Sequence, residues 1–393
     1  MAAGTDSPPT PATAEISLVR GGPFYRAQHA VGLIRPNQWN LGLRITFMIA
    51  VGWLPLFVIT ALLNPNGLVS LIRDYRVHSR LLVAVPVLLI GEVLVESRFR
   101  AVIGHLRESG ILDASELARV DGVIATIIRA RDSFLPEFVI LLLLIVHTVT
   151  SYKGLVDTTA WLSRASGSEL HLTAAGCYVV LVSTTIFQFL LGLALWKWLL
   201  WTFFAFKLSR RNLKLIATHP DGHGGLGFLG LTSAAFAPIA FSATAVIAAT
   251  WRQDILHHGA HLTNFKLPAI ILVALTALVA LGPLAFFVPR LAGVRRKGIL
   301  DYGILGQLHS AEFHEKWILH RAGHELEFLA VPDIGALANY GRAYEAIEGM
   351  NSFPADKGAL YTLAFAVLVP ALPVILAEIP LAVVLGDLLK ALR

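Results

Sequence analysis

Charge and sulfur are scarce in this chain. Only 15% of its 393 residues are Asp, Glu, Lys or Arg, against about a quarter in soluble domains. The single cysteine, Cys177, lies in an apolar segment, which excludes disulfides and cysteine-ligated zinc within one chain. No basic stripe interleaved with aromatics is present. A nucleic-acid surface is therefore not expected, although the formal net charge is +6 and the pI is near 9.5. Residues 1–14 lack the basic start and apolar core of a secretory signal, and their Pro, Thr, Ala and Ser content predicts a disordered tail.

Apolar sequence is abundant. Hydrophobic residues make up 55% of the chain and the mean hydropathy is +0.66, values that place it among multi-pass membrane proteins. Seven segments approach the ~20 helical residues that cross a hydrocarbon layer: 46–63, 80–95, 134–152, 174–196, 228–251, 267–288 and 360–379. The expected fold is all-α, a polytopic membrane helix bundle of about seven transmembrane helices with a small cytoplasmic helical subdomain. The expected division is a tail over 1–14 and a membrane domain over 15–288 with six spans and a cytoplasmic helix at 113–131. A cytoplasmic helical segment follows over 289–357, and the seventh span with an external amphipathic helix completes the chain over 358–393.

Roughly two-thirds of the 32 Lys and Arg residues fall on one side of this seven-span layout. The positive-inside bias then puts the N-terminus in the cytoplasm and the C-terminus outside. The fourth span runs without a breaker from Ala174 to Lys207, about 50 Å at 1.5 Å per residue, longer than a ~30 Å hydrocarbon core. Trp196, Trp198 and Trp201 mark its cytoplasmic end as an interfacial aromatic belt.

Three cytoplasmic helices are predicted. Asp113 with Glu116 has the spacing of a capping box, followed by the stripe Leu117, Val120, Ile124, Ile127 and Ile128. Another helix follows Asp333, with Leu337, Tyr340, Tyr344 and Ile347 on one face, and a third covers 298–320. After Pro380, Leu381, Leu385, Leu388 and Leu392 form a stripe that reads as a helix lying on the external membrane surface.

Chemistry is concentrated at the start of the fifth span, in Thr218, His219, Pro220, Asp221, Gly222, His223, Gly224, Gly225, Leu226, Gly227 and Phe228. The run from Gly225 to Gly230 matches G-x-G-x-x-G, but that fingerprint needs a strand before it and a βαβ unit around it, and membrane helices flank it here. Three readings of the segment stand. An anion could dock on free N–H groups at the helix start, with His219 or His223 as a further donor. His219, Asp221 and His223 could form a loop-based site for Zn, Mn or Fe. Alternatively, Asp221 and the glycines only cap and turn the chain into the helix.

The remaining histidines do not complete a motif. His314-Glu315 and His324-Glu325 each open an H-E-x-x-H pattern that closes on Ile318 or Phe328 instead of histidine. His257, His258 and His261 read as solvated, as do His320 and His324, and His147 reads as packed against a neighbouring helix. No cofactor is expected.

Ionisable groups gather near the cytoplasmic boundary: Glu92, Glu96, Arg98 and Arg100 at the end of the second span, Arg129, Arg131, Asp132 and Glu137 around the start of the third. Such groups pair with one another or face water. They form either a salt-bridge collar that fixes helix ends or a vestibule, gate or ligand site, with the His219 loop at the same level. In the fifth span, Ser233, Ala234, Ala235, Ala237, Ala240, Ser242, Ala243 and Ala245 offer a small-residue face for packing within one subunit or between subunits.

Thr218-His219-Pro220-Asp221 with Gly224-Gly225-Leu226-Gly227-Phe228-Leu229, Arg129-Ala130-Arg131-Asp132-Ser133 with Pro136-Glu137, Phe313-His314-Glu315-Lys316-Trp317, and Asp333-Ile334 resemble signatures of a bacterial multi-pass membrane family of hypothetical proteins. The resemblance implies a bacterial inner membrane and carries over no catalytic residue. The leading expectation is a homo-oligomeric channel or transport-type protein for an ion or small solute, in contact with the lipid bilayer and with an anion or ion at the cytoplasmic face. The alternatives are a membrane-embedded enzyme, either a metal-dependent hydrolase or a phospho-group transferase on a lipid-linked substrate, and a membrane sensor or scaffold.

Overall fold

The structure, a computed structural model, describes residues 16–35, 38–155, 161–166, 169–319, 332–355 and 357–378. The tail expected over 1–14, the surface helix expected after Pro380, and His320 and His324 lie outside the described residues.

Among the described residues, six helices are long and apolar enough to cross a membrane. A short helix α1, Pro23–Ala30, precedes the first of them, α2, Leu41–Leu63. Then come α3, Tyr75–Glu108, α4, Ala114–Asp132, and α5, Leu135–Leu155. A hairpin of β1, Ser163–Ser166, and antiparallel β2, Glu169–Leu172, leads to α6, Ala174–Ser209, and α7, Gly227–His258. The chain continues through α8, Leu262–Ala285, α9, Val288–Phe313, α10, Pro332–Glu348, and α11, Lys357–Glu378. The spans α2, α3, α6, α7, α8 and α11 are the six; α4 and α5 pass the same test only together, with a 44° bend between them. That bend places the expected third span on α5, with Pro136 in its first turn where a missing N–H costs nothing.

Local chemistry explains the irregular places. Pro86 lies just after a π-helical stretch, Ser79–Ala84, in α3; the wide turn gives the proline ring room that a regular α-turn would deny it. Thr173 caps α6 by accepting the Gly176 N–H at 3.0 Å. The hairpin before it is the only strand pair among the described residues and was not anticipated.

α7 is the central helix, with 67% of its most apolar window buried against 17% for α11. Its small residues serve packing inside the subunit. Ala237 and Ala240 cluster with Ala366 of α11, the Ser242 hydroxyl donates to the Ala84 carbonyl of α3 at 3.1 Å, and Pro238 packs against Gly91. Apolar side chains on the outer helices, including Leu143, Ile145, Ile270 and Phe365, stay exposed, as lipid contact requires.

Two local expectations need correction. Asp113 makes no capping hydrogen bond to α4; its carboxylate lies 3.5 Å from the Lys214 ammonium instead. The helix expected over 298–320 starts ten residues earlier, because nothing in the turn after Phe287 stops it. His147 is exposed on α5 and lines a cavity together with Thr184 and Gln188 of α6. The helix after Asp333 does turn its tyrosines inward, and the Tyr340 hydroxyl donates to the Tyr302 carbonyl of α9.

Candidate functional site

The end of the bundle where α2 begins and α3 and α6 finish is called the near face here, and the opposite end the far face. Glu92, at mid-length on α3, is buried where α2 and α6 meet it. Arg44, in the first turn of α2, donates through Nη2 to Glu92 Oε2 at 2.5 Å, and Lys197 of α6 donates to Glu92 Oε1 at 2.5 Å. Arg44 Nε also donates to Gln28 Oε1 of α1 at 2.7 Å. Arg44 is only 1% exposed. Removing such a charge from water costs several kcal/mol, which only close and well-aligned partners offset.

One turn further along α3, Glu96 holds the N-terminal segment. Its Oε2 accepts from the Ser17 hydroxyl at 2.7 Å and from the N–H groups of Leu18 and Val19 at 3.1 and 3.2 Å, while Oε1 pairs with Arg100 at 2.6 Å. The corner between α4 and α5 grips the same segment. Arg131 donates to the Ser17 carbonyl at 2.6 Å, Asp132 accepts the Gly22 N–H at 3.1 Å, and Glu137 accepts the Phe24 N–H at 2.8 Å. Arg131 and Asp132 also pair with each other at 2.8 Å. The collar residues thus clamp residues 17–24 to three helices, α3, α4 and α5. Arg98 is exposed and belongs to neither group.

The His219 loop is organised by its own carboxylate. Asp221 Oδ1 accepts from the N–H groups of His223 and Gly225 at 2.8 and 3.0 Å, and Oδ2 accepts from Gly227 at 2.8 Å. The turn needs positive φ at Gly222, Gly224 and Gly225, which glycine adopts at no steric cost. His219 Nδ1 lies 2.9 Å from Asp221 Oδ1, and His223 Nδ1 contacts the Asp221 carbonyl at 2.6 Å. Burial alone would raise the Asp221 pKa, but the three N–H donors and the His219 ring outweigh it and hold the carboxyl below its usual range. The N–H groups that an anion would need are therefore taken by Asp221. Among the described residues, no group of three His, Cys, Asp or Glu side chains is placed to hold a metal.

His219, Asp221 and His223 share one turn, and Glu96, Arg131, Asp132 and Glu137 share one strap of chain. The two groups do not meet. The loop packs on the C-terminal end of α3, where His105 lies against Phe228 with ring centroids 4.3 Å apart. That is about 13 Å along the helix from Glu96.

A small cavity of about 30 Å³ is walled by Arg44, Glu92, Arg131, Glu137, Trp196 and Lys197, among others. Arg44, Gln28, Trp196 and Lys197 were not singled out as site residues in the sequence. The available signal was a lone cation inside an apolar run, Arg44 between Leu43 and Ile45 and Lys197 between Trp196 and Trp198. Towards the far face a larger cavity of about 470 Å³ is lined by Asp74, Arg80, His147, Gln188, Asp254 and His258. There Arg80 Nη1 donates to Thr184 Oγ1 at 2.6 Å, and Asp74 accepts from Trp161 Nε1 at 3.2 Å.

Together, the apolar spans and the pairing of their few charges define a polytopic α-helical integral membrane protein. Comparison with protein-family models, with curated proteins and with solved structures gives no match.

Proposed function

We propose that this protein is of the transport type and moves an ion or small solute along the seam between α3 and α6. One observation carries the reading: two cavities with polar groups in their walls lie along that seam, one towards the far face and one beside Glu92 at mid-length of α3. Arg80, Thr184 and Gln188 line the far one, Glu92 and Lys197 the near one. Between them Leu81, Leu89, Phe187 and Leu190 are all buried in one apolar core. The separation from Arg80 to Glu92 is about 18 Å along α3. An apolar layer between two polar cavities is the arrangement in which a solute site is reached from one side at a time.

The Lys and Arg distribution and the resemblance to bacterial membrane proteins support a plasma-membrane location with the near face in the cytoplasm. The test is flux through purified protein in liposomes under cation, anion and proton gradients. Gradient-dependent flux above protein-free vesicles is expected. Absence of flux under every gradient and pH removes the reading.

A further inference from the structure

We propose that the small cavity beside Glu92 binds a monatomic anion of the halide class. The argument starts from unmet donors. Arg44 Nη1 and Trp196 Nε1 are both buried without a hydrogen-bond partner among the described residues, and both side chains wall the cavity. Arg44 as a whole is 1% exposed, so solvent does not satisfy that guanidinium edge. No wall residue has a buried side-chain acceptor left without a partner.

Charges around the cavity balance, so the unmet donors decide. Arg44, Arg131 and Lys197 face Glu92 and Glu137 in the walls, Asp132 pairs with Arg131 from outside them, and both wall carboxylates already accept hydrogen bonds. Glu92 gives one oxygen to each of Arg44 and Lys197, and Glu137 gives both of its oxygens to the Phe24 N–H. A water molecule could accept from the two free donors, and its O–H groups could use spare carboxylate lone pairs, but the unmet side-chain groups in the walls are donors alone. An anion accepts from every side and donates nothing. Size narrows the class: about 30 Å³ is roughly twice the minimum that holds one water, which suits a single ion and not a phosphate.

This inference deepens the transport reading, on which it rests for its role, by naming the solute class in the near cavity of the seam; binding itself is measured without flux. The experiment uses the full chain in detergent, comparing sodium bromide with sodium gluconate at equal ionic strength, by calorimetric titration and thermal unfolding. Crystals soaked in bromide add anomalous diffraction. Saturable bromide binding is expected, with an anomalous peak between Arg44 and Trp196. Trp196→Phe keeps the ring but loses the N–H, and should weaken bromide binding roughly tenfold or more. Equal behaviour in bromide and gluconate, or a peak only elsewhere, overturns the site; so does unchanged affinity in a folded Trp196→Phe protein. The bromide peak in the unmodified chain decides the matter if that variant does not fold. Bromide binding without liposome flux would keep this site and remove the transport reading, whereas flux without bromide binding would do the reverse.

Discussion

Arg44 and Glu92, 48 residues apart in the chain, meet at 2.5 Å with side chains only 1% and 9% exposed. Lys197 approaches the other oxygen of the same carboxylate, so one buried anion joins three helices.

Removing that anion should hurt more than removing the whole cluster. Glu92→Ala leaves Arg44 and Lys197 buried without their carboxylate, a change expected to cost about 3–5 kcal/mol. Replacing Arg44, Glu92 and Lys197 together by methionine should recover most of the loss, since no charge then remains to be desolvated. Unfolding in mixed micelles against denaturant measures both. A triple variant as unstable as Glu92→Ala would refute this account of the cluster.

Asp221 should make loop stability depend on acid. Its folded pKa lies below the unfolded value of about 3.9, so its contribution is fully present above that pH. The contribution fades as pH falls through the depressed folded value. Asp221→Asn should flatten the pH dependence below about pH 5, and at neutral pH it should cost about 1 kcal/mol, through weaker acceptance from the His223, Gly225 and Gly227 N–H groups. Hydrogen exchange of the Gly225 and Gly227 amides from pH 3 to 7 follows it. Identical acid sensitivity in the variant would contradict the assignment.

Gly91 sets how closely α3 approaches α7. A Cβ there would lie 2.8 Å from Pro238 Cβ, on a rigid ring that cannot swing aside. Gly91→Ala should therefore cost about 1–3 kcal/mol despite alanine's better helix propensity. At Gly104, where a Cβ meets nothing within 4 Å, the same change should be neutral or stabilising. Thermal midpoints of the two variants in one detergent give the comparison.

The fold could be read because its signal is local. A span is a run of apolar residues as long as the hydrocarbon is thick, so α6 was legible past Trp201 to Lys207, two residues short of its end at Ser209. The helix Ala114–Asp132 was legible from its stripe, and Val120, Ile124 and Ile127 are its buried face. Its cap was misread because Asp113 has a competing partner, Lys214, a hundred residues on. The Glu92 cluster was half legible for the same reason: a carboxylate in a span announces that it needs partners, but nothing near it in sequence names them. Lys197 is 105 residues away. Asp221 differs, since every N–H it accepts lies within six residues.

The clamp on residues 17–24 has a consequence for biosynthesis. Phe24 is held by Glu137, 113 residues later in the chain. A ribosome adding about 5–20 residues per second needs several seconds to cover that interval. Through that time the leading segment has no Glu137 to hold it, while α2 and α3 are already made. Closure of the strap therefore comes late and reports that the corner between α4 and α5 has formed, making the N-terminus a latch on assembly.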